Sequence, residues 1–539
     1  MIALLNGAIY NGNDFYEAVV TEGKRIVYAG DSIGAQKYIT DRHRKIYLDG
    51  KLVLPGFVDS HAHGAHFMGL CIDKIDLTGG RSVEDYKEII KTFVNENPDI
   101  EFYQGIGWAS PLFSEEGPKK EILDEICSTK PMVIRSGEGH SIWANSAAIE
   151  MAGIDENTHN PDGGIIEKNS DGSIRGTFKE EAQQLIDRIV PEISVKEYKK
   201  AIARYQKLMA AYGYTATAEM MMSRNGNIHK AYRELSEEGA LIMKASVHYQ
   251  VNPSDGIDFV KTQMKDSEHS LRNRLSQGYY AKIFIDGVVE GSTAWLKEPY
   301  SNDRQNYGTN LWNDEELFEV CKVLDEFGYD LHFHVIGDAA AAQMIRAVEY
   351  IKTVNTGRSD RRPVAAHVQL ISPEDIEKMG KLGISVSSNP YWFGIEDTYS
   401  KLVEYPLLGE RANRQFPMKS LIEAGILVSV GSDFAITEDP NPILAMRMGM
   451  LRTYEGLLEG ATGVLNPDEC VNLKTMVDAV TYNGAYTLRM DDETGCIEAG
   501  KLADLVVIDK NLFEMQPEDI HEAEVLMTIS EGEIIYERE

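Results

Sequence analysis

Between residues 52 and 434, short apolar runs alternate with longer amphipathic ones, a pattern that restricts this part of the chain to a parallel sheet covered by helices. The runs are LVLPGFVDSHAH at 52–63, YTATAEM at 214–220, IMKASVHYQV at 242–251, YYAKIFID at 279–286, YDLHFHVIGD at 329–338, RPVAAHVQL at 362–370, GISVSSNP at 383–390 and ILVSVGSDF at 426–434. Helical patterns lie between them, such as DEELFEVCKVLDEFG at 314–328 and PEDIEKMGKLG at 373–383. Eight strands separated by helices predict an α/β fold, a (β/α)8 TIM barrel. Only the interval after the first strand, residues 64–195, is too long for one helix, and it is expected to hold an inserted subdomain over the barrel mouth.

The two ends of the chain read differently. Residues 1–55 contain short alternating runs with a turn at Glu22, Gly23 and Lys24, and the last segment repeats the style with a turn at Glu531 and Gly532. A composite β-sandwich domain from residues 1–55 and 495–539 is expected, with the barrel spanning 56–494. At 539 residues the chain is long enough for both.

Charge narrows the partners. The 85 acidic residues against 54 basic ones give a net charge of −31, which repels nucleic acid and anionic membrane surfaces. Five cysteines without CxxC spacing suggest neither a disulfide framework nor a zinc ribbon, so a reducing compartment is expected. With no basic leader and no run of 18 apolar residues, the expectation is a soluble, cytoplasmic protein.

The titratable residues fall at the C-terminal strand ends, where barrels of this type place their active sites. His61 and His63 follow strand one and, being two apart, would share a face and converge on a metal ion. Lys282 lies on strand four, His334 on strand five, His367 on strand six and Asp433 after strand eight. His332 could share the face of His334.

These residues sit in segments that resemble the amidohydrolase superfamily, in the branch that includes N-substituted formamide deformylase. The likeness rests on PGFVDSHAH, GIGW at 105–108, GHSIWANSAAI at 139–149, KIFIDG at 282–287, HVIGDAA at 334–340, HVQLI at 367–371, GSDF at 431–434 and the closing GKLADLVVID. It implies a divalent metal centre, expected to be two zinc ions, with His61, His63 and Asp433 on one ion and His334 and His367 on the second. Lys282 would bridge them after carboxylation, since a neutral buried amine can take up carbon dioxide. The alternative for Lys282 is an ordinary buried lysine paired with Asp286 or Glu219. The resemblance assigns the ligand role to His334 and leaves His332 to packing or to support of a ligand. Two ions about 3.5–4 Å apart can activate a hydroxide and polarise a carbonyl. Asp433 would then move the proton to the leaving nitrogen.

The substrate implied is a small-molecule amide, of the N-acyl or N-formyl amine class. Trp108, His140, Asn145, Tyr391 and Trp392 are the expected substrate-binding residues, and for the aromatic ones a role in the core or lid packing is the alternative. His140 is equally readable as a loop histidine with structural bonds. The chain departs from many relatives at Ala109, at Asn389 and at Glu290–Ser292, positions expected to line the pocket. A mononuclear deaminase of a heterocyclic amine and a catalytically silent scaffold are the competing readings, the first disfavoured by Lys282 and the second by the complete ligand set. Homodimers are common among relatives.

Overall fold

The computed structural model describes residues 1–539 except 115, 138–140, 162–163, 221–225, 266–269, 397–398 and 460. Eight parallel strands form the barrel: Phe57–Asp59, Tyr214–Glu219, Lys244–Val251, Leu275–Phe284, Asp330–Val335, Val364–His367, Ser385–Ser388 and Val428–Val430, with Ser270–Arg272 added antiparallel to the fourth. Strands one and eight close the barrel through single bonds rather than a ladder, with Ser60 N donating to Val430 O and Asp433 N to His61 O. Both faces of these strands are covered, so Tyr214–Glu219 and Asp330–Val335 are buried throughout, the reason they read as near-continuous runs. The helices begin where the sequence provides caps. Asn313 accepts from Glu316 N at the start of Asp314–Glu326, and Pro373 opens Pro373–Leu382, which Gly383 ends in the left-handed region.

The opening apolar run divides between two sheets. Leu52–Pro55 belongs to a second sheet, and the chain crosses into the barrel at Gly56. A Cβ at Gly56 would stand 2.3 Å from the Thr215 side chain, so the crossing needs glycine. The second sheet has eight strands drawn from both chain ends, and its seam is the antiparallel pairing of Leu52–Pro55 with Leu505–Ile508. Its core contains Ile2, Leu4, Val19, Val53, Leu505, Val507 and Ile529.

Residues 1–66 and 202–539 form one compact unit, and residues 67–201 form another. The second unit has its own six-stranded sheet, running from Gly164–Lys168 to Ile75–Asp76. It also has its own core, built on Ile75, Leu77, Tyr86, Trp108, Ile134 and Trp143. No helix among the described residues is long and apolar enough to cross a membrane.

Candidate metal centre

The barrel's interior is polar beneath the strand ends. Ser60, Ser387 and Ser429 join their hydroxyls at 2.7 and 2.9 Å, and His248, Lys282 and His332 lie buried among the strands. Strand one ends at Asp59, so His61 and His63 stand in the segment just beyond it, yet their rings converge, 5.3 Å apart and 81° to each other. Their Nε2 atoms lie 3.4 and 3.0 Å from Asp433 Oδ1, and these three buried residues offer ligand atoms all within 4.8 Å of one another. Asp59 clamps the arrangement, accepting from His61 N at 3.2 Å, Ser432 N at 2.9 Å and Ser432 Oγ at 2.5 Å. Its burial raises its carboxyl to about 7 despite those bonds. The alternation of Asp59 with His61 and His63 was its only signal in the sequence.

The remaining predicted ligands gather round this cluster. The His367 ring lies 4.9 Å from His61 and 4.7 Å from His334, and Lys282 Nζ is 3.4 Å from His61 Nε2. His367 and Asp433 both hold left-handed backbones, at φ 72° and 56°. Such conformations cost on the order of 1–3 kcal/mol each and persist where the surroundings fix them. Asn389 is fully buried and is therefore not the pocket-lining residue expected. Its Nδ2 donates to Gly431 O and its Oδ1 accepts from His367 Nδ1 at 2.7 Å, which leaves the lone pair of His367 on Nε2. His334 Nε2 is 3.1 Å from Gly287 O, and donating there leaves Nδ1 as its lone pair.

Burial governs protonation at the centre. It drives His61 and His334 well below the ordinary imidazole value and His367 down to about 4, so these rings carry free lone pairs at neutral pH. Burial would raise the Asp433 carboxyl, but the imidazoles of His63 and His367 and the Lys282 amine outweigh it and hold the group well below the usual range. Lys282 falls to about 7, again by burial. Among the described residues it forms no salt bridge. Asp286, one suggested partner, accepts instead from Trp295 N, Ile336 N and Gly337 N, and Glu219 Oε2 accepts from Ala65 N. The residues fit a divalent cation. Asp433 Oδ1 is buried without a hydrogen-bond donor among the described residues, and it faces the His61 imidazole, which burial keeps neutral.

The expected substrate-binding residues divide. Trp392 is partly exposed, its ring parallel to His367 at 5.7 Å and 14°, with its N–H fixed on Thr437 Oγ1. Tyr391 is buried, and its hydroxyl contacts Tyr214 OH and Pro440 O, bonds within the fold. Trp108 lies in the core of the 67–201 unit with its N–H on Ile134 O. Asn145 caps Ser146–Met151 and ties Met132 N, Cys127 O and Lys130 O together. His140 lies outside the described residues.

A sequence model of the amidohydrolase family matches residues 45–536. The chain is 29% identical to the protein YtcJ of Bacillus subtilis over 552 residues, covering 98% of this chain and 99% of that one. It is 24% identical to the N-substituted formamide deformylase of Arthrobacter pascens over 541 residues, 98% and 96% of the two chains. Its fold superposes on the crystal structure of an uncharacterized metal-dependent hydrolase from Pyrococcus horikoshii with a TM-score of 0.77, at 24% identity, over 96% of this chain and 99% of that one. With a family match over nearly its whole length and a buried ligand set at the strand ends, the chain belongs to the amidohydrolase family and is a metal-dependent hydrolase.

Proposed function

We propose that the protein hydrolyses an amide-type C–N bond in a small molecule of the N-formyl or N-acyl amine class. His61, His63 and Asp433 would hold one cation and His334 and His367 a second, with Lys282 between them. The observation that carries the two-cation reading is Lys282, a buried amine lowered to about 7 with no acid paired to it among the described residues. Its neutral Nζ can form a bond to the carbon of carbon dioxide and lose a proton to solvent, giving a carbamate with two donor oxygens. A mononuclear deaminase has no use for such a group. The full-length similarity to an N-substituted formamide deformylase favours the same substrate class. Bound divalent cations would supply Lewis acidity towards the substrate carbonyl and acidify the attacking water.

The chain's own groups do the rest. Asp433, ionised at neutral pH, accepts a proton from the water whose oxygen bonds to the carbonyl carbon. It returns that proton to nitrogen as the C–N bond breaks, releasing a carboxylic acid and an amine. Trp392, fixed beside His367, offers a flat apolar face for the substituent on the amide. The test combines elemental analysis with an activity screen on N-formyl and N-acyl amines. Near two metal equivalents, a modified Lys282 and amine release are expected, and Asp433→Asn should lower turnover by about 10²–10⁴-fold with the fold intact. One equivalent with unmodified Lys282 and ammonia release from heterocyclic amines would favour the deaminase instead, and no metal uptake after reconstitution would favour the scaffold.

A further inference from the structure

Each ligating imidazole has a second nitrogen, and the partner of that nitrogen decides which one carries the proton. For His367 and His334 the partners are oxygens, Asn389 Oδ1 and Gly287 O, and an oxygen of this kind can only accept. His61 is different. Its Nδ1 lies 2.9 Å from Nε2 of His332, another imidazole, which can either give or take the proton. If His332 Nε2 donates, a neutral His61 carries its own proton on Nε2, the atom that faces Asp433 and Lys282, and cannot ligate. If His61 Nδ1 donates, Nε2 is free.

We infer that His332 is a positioning residue for the metal centre, which accepts the His61 Nδ1 proton and so holds the His61 Nε2 lone pair towards the cation. This rests on the metal-centre reading above. His332 pairs in register with Lys282 on the adjoining strand, which sets its ring against His61. Its orientation is fixed from behind by His248, 5.2 Å away at 64°, which stacks on Tyr280 at 4.6 Å and meets Ser246 Oγ at 3.2 Å. Tyr280 is itself anchored on Thr487 O. The other nitrogen of His332, Nδ1, is buried without a hydrogen-bond partner among the described residues. An orphaned buried polar atom costs on the order of 1–3 kcal/mol, a penalty an aliphatic side chain would avoid. The contact that offsets it is the one to His61.

The test is zinc affinity by competition with a chromophoric chelator, with circular dichroism to verify folding. His332→Leu removes the acceptor at similar volume, and the tightest zinc site should weaken by about 10–100-fold. His332→Gln places an amide oxygen near the lost Nε2 and should recover most of that loss. His332→Asn, whose amide stops short of His61, should bind as weakly as the Leu variant and replaces it if the Leu variant does not fold. Folded Leu or Asn variants with wild-type affinity, or a Gln variant as weak as they are, would overturn this inference alone. Wild-type protein that takes up no zinc would overturn the metal-centre reading and this inference with it.

Discussion

Lys282 illustrates how a single buried amine makes a site depend on pH. Its amine titrates at about 7, against an ordinary value near 10.5, because burial disfavours the charged form. Between those two values the unfolded chain binds more protons than the folded one, so the metal-free protein gains stability as pH rises from about 7 towards 10.5. The same deprotonation frees Nζ to react with carbon dioxide. His367, at about 4, is already neutral at pH 6, but the Asp59 carboxyl beside His61 is also raised to about 7, so only the bicarbonate-dependent part of a step between pH 6 and 8 belongs to Lys282. The bicarbonate-dependent gain in zinc incorporation should therefore be greater at pH 8 than at pH 6, and Lys282→Met should abolish that gain. Uptake that ignores bicarbonate in the wild type would remove the carboxylation idea. What the sequence showed of this site was the placement of its histidines, Lys282 and Asp433 on or just beyond barrel strands, and the structure brings those residues together. Asn145 was misread for a local reason. The order Asn145, Ser146, Ala147, Ala148 is a helix-start signal, and the side chain acts as that cap. Asn389 was misread because spacing shows that a residue lies near a ligand without showing whether it faces the ligand or the pocket.

Among the elements, the closure between strands one and eight sets Asp433 beside His61 and His63. All eight strands were foreseeable from apolar periodicity, and helices Asp314–Glu326 and Pro373–Leu382 fall within two residues of their expected ends. The first run divides between two sheets at Pro55 and Gly56, residues that break its apolar pattern and stand at the expected boundary between residues 1–55 and 56–494. The closure itself depends on Gly431, where a Cβ would stand 2.5 Å from His61 Cβ, 2.8 Å from Ser387 Oγ and 3.1 Å from His61 N. Two of those atoms belong to His61, whose carbonyl also accepts from Asp433 N. Gly431→Ala should thus push strand eight away from His61, destabilising the protein by about 1–3 kcal/mol and weakening zinc binding at the same time. Urea unfolding and a zinc titration would check both, and wild-type behaviour in either would show that the closure has slack the geometry does not suggest.

At the scale of the molecule, the sheet built from both chain ends is joined to the barrel by a buried charge network that no local pattern announces. Lys244 opens the third barrel strand and Asp504 precedes Leu505–Ile508. Their side chains meet at 2.6 Å, and both are essentially fully buried. Asp504 also accepts from Glu531 N at 2.9 Å, while Glu531 gathers Lys24 at 2.7 Å and Arg274 at 3.4 Å, so residues from 24 to 531 converge on one point. The partners lie 260 positions apart in sequence, which is why composition and periodicity could not pair them. A buried ion pair is weak evidence of net stabilisation, but breaking one side strands the other charge. Lys244→Met should accordingly cost about 3–5 kcal/mol in urea unfolding, through the uncompensated Asp504 carboxylate. Adding Asp504→Asn removes that charge while keeping an oxygen for Glu531 N, so the double variant should be more stable than the single one. Equal stability of the two would mean that Glu531 and its cations, rather than the Lys244–Asp504 pair, hold the terminal sheet to the barrel.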